Sequence, residues 1–338
     1  MTELDLLQKL ADAYGPSGHE DEVRNLLMEV LKGHVDDMQV DPLGNLLVYK
    51  KGRSGDGSRV MFAAHMDEIG VIVVDIDEKG FLRLQPVGGV NPLVLLGQRV
   101  QFPGGIVGSI GVEPVEDPKE IKFPKLFADI GAKSKEQAEK AVGYGTMGVF
   151  YAAFQERDGI ASGKAMDDRS GCAILAQALL EMKDVGNEVV AVFTVQEEVG
   201  LRGARTAAFG VDPQVGFAID VTATGDTPKA QPMAVSLGKG TAIKMKDQSL
   251  VTPPFIRDLM VERAEKRGIP YQLEVLGYGG TDAGAIHLTR AGVPSGVVSL
   301  PTRYLHTPAE MIALADLRAS IELVKALAEE PILLPSRV

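Results

Sequence analysis

The sequence contains no tryptophan, one cysteine and only 5% aromatic residues among its 338 positions. A single cysteine excludes an internal disulfide, so nothing asks for an oxidising compartment. No stretch reaches the roughly 18–20 apolar residues needed to cross a bilayer. The opening MTELDLLQKLADAYG carries acids from the start and lacks the basic and apolar regions of a secretory signal. Positive charge is also scarce: 35 Lys and Arg face 46 Asp and Glu, a formal net charge of −11. That excess repels a phosphate backbone and argues against nucleic acid. The densest basic cluster, Lys50-Lys51-Gly52-Arg53, is expected to be a solvated hairpin tip. The glycines of GYGGTDAG (277–284) do not make G-x-G-x-x-G and no P-loop pattern occurs, so these segments give nucleotide binding no support. The expectation is a cytoplasmic protein with neither a membrane nor a nucleic-acid partner.

What is present is ordinary for a globular chain: 45% hydrophobic and 24% charged residues, with 38 glycines and 19 prolines. At about 100–200 residues per domain, this length predicts two domains. Leu4, Leu7, Leu10 and Ala11 have helical spacing, and Ser17 with Glu20 suggests a capping box opening a second helix to Leu31. A hairpin follows, then RVMFAA (59–64), an apolar run typical of a strand buried on both faces. From Ile69 to Gly159 short alternating runs between Gly, Pro and Asp turns read as a small all-β, barrel-like module. Its charged stretch 113–140 reads as an exposed loop or helix. After Lys164 strands and helices alternate, ending in a helix from about Pro308 to Glu329. The fold class expected is α/β, with a mostly parallel sheet flanked by helices. Residues 1–68 plus 160–338 would form the α/β domain, and 69–159 the inserted module.

Ligand sites in such sheets gather beyond the carboxyl ends of the strands. His65 and Asp67 follow RVMFAA, Glu197 and Glu198 follow VVAVFTVQ, Asp220 ends VGFAI, and His306 follows SGVVSLPTRYL. Asp167 and Asp168 open the helix after the module. Singly, an Asp after a strand is ordinarily a turn or cap residue. Gathered at one edge, these carboxylates repel one another, and a cation resolves the conflict. Two His with several carboxylates suit zinc, cobalt or manganese. Carboxylates outnumbering His suggest two metals about 3.5–4 Å apart, sharing an Asp and a water. Alternation along a strand predicts that Glu197 and Glu198 face opposite ways, one ligating and one free as general base. His65 and Asp67, two apart, would face the same way, with Asp67 supporting the imidazole. Cys172 lies in an apolar helix and is expected to be packing, and His19, His34 and His287 carry no evident role. Gly279-Gly280-Thr281 is either a loop near substrate or a tight turn, and the stretch 222–254 could wall a pocket.

These residues sit in six ordered motifs: AAHMDEIG (63–70), KAMDDRSG (164–171), TVQEEVGLRGA (194–204), AIDVT (218–222), GGTDA (279–283) and PTRYLHTPAE (301–310). Together they resemble the signatures of the M42 metallo-aminopeptidases of clan MH, which include tetrahedral and glutamyl aminopeptidases. The resemblance implies two divalent metal ions per subunit, Zn2+ or Co2+ with Mn2+ as an option. His65 and Asp220 would ligate one, Glu198 and His306 the other, with Asp167 bridging. Glu197 would be the general base, Asp67 would orient His65, and Asp168 would be a helix-start residue. The reaction implied is release of N-terminal residues from peptides by a metal-bridged hydroxide. The resemblance also implies self-association through the β module into dimers and a tetrahedral dodecamer. Some relatives are labelled cellulases, but a chain without tryptophan offers little for stacking on sugars. A non-catalytic metal-binding scaffold would not need Glu197 or Asp67.

Overall fold

The apolar strands owe their composition to cover on both faces. In Arg59–His65, side chains alternate: Val60, Phe62 and Ala64 join one core, while Met61 and Ala63 join another. The computed structural model describes residues 1–52 and 57–334, leaving Arg53 of the basic cluster outside the described residues. Its larger sheet runs in spatial order Asp37–Val40, Leu46–Lys50, Glu188–Thr194, Arg59–His65, Val215–Thr222, Ser295–Arg303, Glu310–Ala313, Ile160–Gly163 and Gln155–Arg157. Thr241–Lys246 pairs with Ser295–Arg303 and with Tyr271–Val275. The four strands from Glu188–Thr194 to Ser295–Arg303 are mutually parallel, and the flanking pairs are antiparallel. The fold is therefore α/β, with a mixed sheet that is parallel at its centre.

Helices Glu3–Asp12, Asp21–Leu31, Met166–Glu181, Pro254–Arg267 and Leu314–Glu329 supply the larger core, where Phe62 and Phe217 stack with centroids 5.5 Å apart. Truncating such a ring costs about 3–5 kcal/mol. Arg202–Val211 and Ala283–Ile286 cover the opposite face. Between the first and second parts of this sheet the chain builds a separate closed barrel: Gly70–Ile76, Leu82–Val87, Leu126–Asp129, Ile106–Val112, Arg99–Phe102 and Met147–Phe150. Closure leaves no open sheet edge, and Val71, Val73, Leu82, Val100 and Phe102 fill a core of its own.

Several local expectations differ from the structure. Ser17 and Glu20 form no capping box: Ser17 donates to Asp67 Oδ2 at 2.6 Å, and Glu20 Oε1 accepts the N–H groups of Gly18 and Gln196. The helix starts at Asp21 without a side-chain cap, because charge-assisted hydrogen bonds to the sheet end claim both residues. Lys50 is no solvated tip; its Nζ donates to the carbonyls of Leu179 and Met182 at a helix C-terminus. The stretch 113–140 contributes a barrel strand, Leu126–Asp129, besides the helix Lys135–Ala141. Pro308 does not open the last helix. Glu310–Ala313 is a strand pairing with Ser295–Arg303 and Ile160–Gly163, and the helix begins at Leu314. No helix among the described residues is long and apolar enough to cross a membrane.

Candidate metal centre and active-site pocket

The carboxyl ends of the central strands open on one pocket of about 900 Å³. His65 closes its strand, Asp220 lies near the end of Val215–Thr222, and Glu197 and Glu198 follow Glu188–Thr194. Asp167 comes from the start of Met166–Glu181, and His306 follows Ser295–Arg303. All six line this pocket. Asp167 sits between the two imidazoles: Oδ1 is 3.0 Å from His65 Nε2 and Oδ2 is 3.3 Å from His306 Nε2. Asp220 Oδ1 and Glu197 Oε2 each lie 4.0 Å from His65 Nε2, and Glu198 Oε1 lies 3.5 Å from His306 Nε2. Among the described residues, two sets could hold a metal ion: His65, Asp167 and Glu198, and His65, Asp168 and Asp220. The Asp168 oxygens already accept the N–H groups of His65 and Gly171, at 3.2 and 2.9 Å.

Behind this layer Asp67 is fully buried. Its carbonyl oxygen is 3.1 Å and its Oδ1 3.5 Å from His65 Nδ1. The carboxylate also accepts the N–H groups of Glu197 and Glu198, at 2.9 and 3.2 Å. The expectation from strand alternation does not apply to these two glutamates. Their strand ends at Thr194, and the carbonyl of Glu197 accepts Gly200 and Leu201 N–H in a turn. Both carboxylates thus reach the pocket, Glu197 toward His65 and Glu198 toward His306.

The model of the M42 glutamyl aminopeptidase family matches residues 44–323. The chain belongs to the M42 family. An aminopeptidase structure from Desulfurococcus kamchatkensis superposes with a TM-score of 0.93 at 41% identity, covering 97% of this chain and 94% of that one. The lysyl aminopeptidase of Pyrococcus furiosus is 35% identical over 98% of both chains. The TET1 peptidase of Pyrococcus horikoshii, which can assemble into a tetrahedron or a large octahedral shell, is 35% identical with a TM-score of 0.85, covering 97% of this chain and all of that one. The protein is a peptidase.

Its donor set fits a cation. Among the described residues, the only ion-pair partners of Asp167, Glu197, Glu198 and Asp220 are His65 and His306. Burial and the charge of Asp167 push Asp220, Glu198 and Glu310 each up to about 8. Burial raises Glu197 well above the carboxylate range, against the pull of His65 and helped by Asp220 and Glu198. Asp167 goes the other way: burial opposes its charge, but His306 and His65 hold it well below that range. His306 is disfavoured as a cation by burial, yet Asp167 and Glu198 push it up to about 10. Imidazoles and carboxylates without a thiolate suit a divalent metal of the borderline class.

Three features of this M42 site were not assigned from the sequence. Glu310 Oε2 accepts Asp167 N–H at 3.0 Å and Oε1 accepts His306 N–H at 2.7 Å, so one buried carboxylate fixes the backbone of both. The barrel reaches in through Gly88-Gly89: the Gly89 carbonyl lies 3.1 Å from His306 Nδ1, and a Cβ there would stand 2.7 Å from that nitrogen. A Gly-Gly pair after a strand was the available signal, indistinguishable from a barrel turn. Beside the site, Glu68 binds Lys164 Nζ at 2.8 and 2.9 Å and Arg169 Nη2 at 3.1 Å. Arg169 is fully buried and also donates to the carbonyls of Met66, Leu10, Ala13 and Gly15. Cys172 is buried with Sγ 3.1 Å from the His65 carbonyl, and burial raises its thiol. His19, His34 and His287 do not line the pocket, whereas Gly279, Gly280, Thr222 and Gln248 do.

Proposed function

We propose that this peptidase is a dinuclear metal-dependent aminopeptidase that hydrolyses the first peptide bond of its substrates. The observation that carries this is Asp167, one oxygen beside each histidine, in an acidic pocket without a lysine or arginine partner among the described residues. His65 and Asp220 would hold one ion, Glu198 and His306 the other, and Asp167 both. Zinc or cobalt would serve, with manganese as an option. When bound, such ions supply Lewis acidity, which lowers the pKa of water and polarises a carbonyl. Glu197 is the proton carrier. It takes a proton from the attacking water as the new C–O bond forms, and returns one to the amine as the C–N bond breaks. Asp67 positions it by accepting its backbone N–H and steadies the His65 ring. The carboxylates around the pocket would attract the free α-amino group of a peptide, which an internal nitrogen lacks, and so restrict cleavage to the chain end.

Residues 1–68 and 160–338 would form the catalytic domain and 69–159 a dimerisation domain. The assembly of the TET1 peptidase supports self-association, which we extend to dimers and a tetrahedral dodecamer. The test is hydrolysis of an aminoacyl-p-nitroanilide panel before and after chelation, with zinc, cobalt or manganese restored and metal content measured. Chelator-sensitive activity with two ions per subunit is expected. Glu197→Gln should lower kcat by about 10²–10⁴-fold while leaving metal content unchanged. Full activity in that variant, or no hydrolysis by the loaded wild type, would overturn the proposal.

A further inference from the structure

The pocket wall away from the proposed ligands carries one formal charge among the described residues, that of Arg303. Its guanidinium is already paired. Nε donates to Asp226 Oδ1 at 2.9 Å and Nη2 to Oδ2 at 2.7 Å, a bidentate fork. Asp226 is fixed from the other side as well, by the Thr224 hydroxyl at 2.7 Å and the Leu237 N–H at 2.9 Å. The rest of that wall offers apolar surface from Leu201, Leu276, Leu305, Tyr278 and Tyr304.

We propose that the Arg303–Asp226 pair keeps the substrate side-chain pocket electrically neutral, so that the enzyme selects peptides beginning with an uncharged, apolar residue over those beginning with Glu or Lys. This rests on the aminopeptidase reading above. A glutamate side chain entering the pocket would compete with Asp226 for a guanidinium whose fork is occupied. A lysine would meet Arg303 beside a carboxylate that already has four donors. Either charge gives up water for a pair that is already neutralised, with at most the remaining guanidinium N–H groups to recover it, which is costly in a partly closed site. An apolar side chain gains from the same wall by removing surface from water. Selection therefore comes from denying both charges a partner as much as from attracting apolar groups.

The experiment compares kcat/KM for Leu-, Glu- and Lys-p-nitroanilides using metal-loaded wild type, Asp226→Asn and Arg303→Met. Wild type should favour Leu over both others by about tenfold or more. Asp226→Asn keeps an acceptor for Leu237 but frees the guanidinium charge, so the Glu/Leu ratio should rise by about fivefold or more and the Lys/Leu ratio fall. Arg303→Met leaves Asp226 uncompensated, and the Lys/Leu ratio should rise by a similar factor. Ratios within one variant cancel any uniform loss from a disturbed loop. Wild-type preference for Glu or Lys overturns the proposal and leaves the aminopeptidase reading intact. The same holds if neither variant that folds moves its ratio by that factor. Failure of wild type on every substrate overturns the aminopeptidase reading itself.

Discussion

Asp67 and Glu68 are neighbours in sequence, equally buried, and belong to opposite kinds of charge cluster. Glu68 faces Lys164 and Arg169, whose donors are shared among Glu68 and five bonds to main-chain carbonyls of Leu10, Ala13, Gly15 and Met66. Every charge there has a partner from the chain itself. Asp67 backs a pocket where, among the described residues, the carboxylates have only two imidazoles as ion-pair partners, and where burial, helped by neighbouring carboxylates, raises Glu197 and Asp220. A closed cluster ties the N-terminal helix to the sheet; an open one waits for something from outside. The lesson is that completeness of partnering, rather than burial or charge, separates the structural set from the functional one.

The sharpest break of that contrast is Arg169→Met. Removing one member of the closed set leaves Glu68 with Lys164 alone and uncaps several carbonyls, so unfolding in urea should show a loss of about 3–5 kcal/mol. Asp220→Asn in the chelated protein should show no such loss, since it replaces a carboxyl crowded by Asp167 with a neutral group of the same shape. Equal losses in the two variants would erase the distinction. Next in size is Gly89→Ala, whose Cβ would displace the His306 ring. Metal affinity should fall by about 10–100-fold with near-wild-type unfolding, measured by titration with a competing chelator.

The smallest effect is on pH dependence. Asp220, Glu198 and Glu310 titrate in the folded chain at about 8, above their ordinary values. For a raised carboxylate, the associated stability is complete below the unfolded pKa of about 4 and is lost as pH rises through the folded value. Chelated protein should therefore lose melting temperature between pH 6 and pH 9. The metal-loaded protein should lose less, because a cation offsets the charges. A gap in melting temperature that stays constant across that range would contradict the open-cluster picture.

The sheet was legible because its central strands are apolar on both faces and each ends in a chemically distinctive residue, as with His65 and Asp220. The barrel was legible from alternation between turn residues. Ser17 was misread because a capping pattern is local, whereas its partner Asp67 is fifty positions away. The strand at Glu310 was hidden for the same reason: its pairing edges come from Ser295–Arg303 and Ile160–Gly163. Glu197 and Glu198 were separable as a pair, but the turn that aims both at the pocket follows from backbone bonds to Asp67, which spacing does not encode.

The two histidines flanking Asp167 lie about 240 positions apart, and at about 5–20 residues per second synthesis takes roughly 12–50 s to pass from one to the other. For that interval a growing chain displays His65 and then Asp167, Glu197, Glu198 and Asp220 with no His306 to complete them. Under the proposed ligand assignment, every side chain of the half built on His65 is therefore synthesised before His306 exists, and the half built on His306 is the last to be complete.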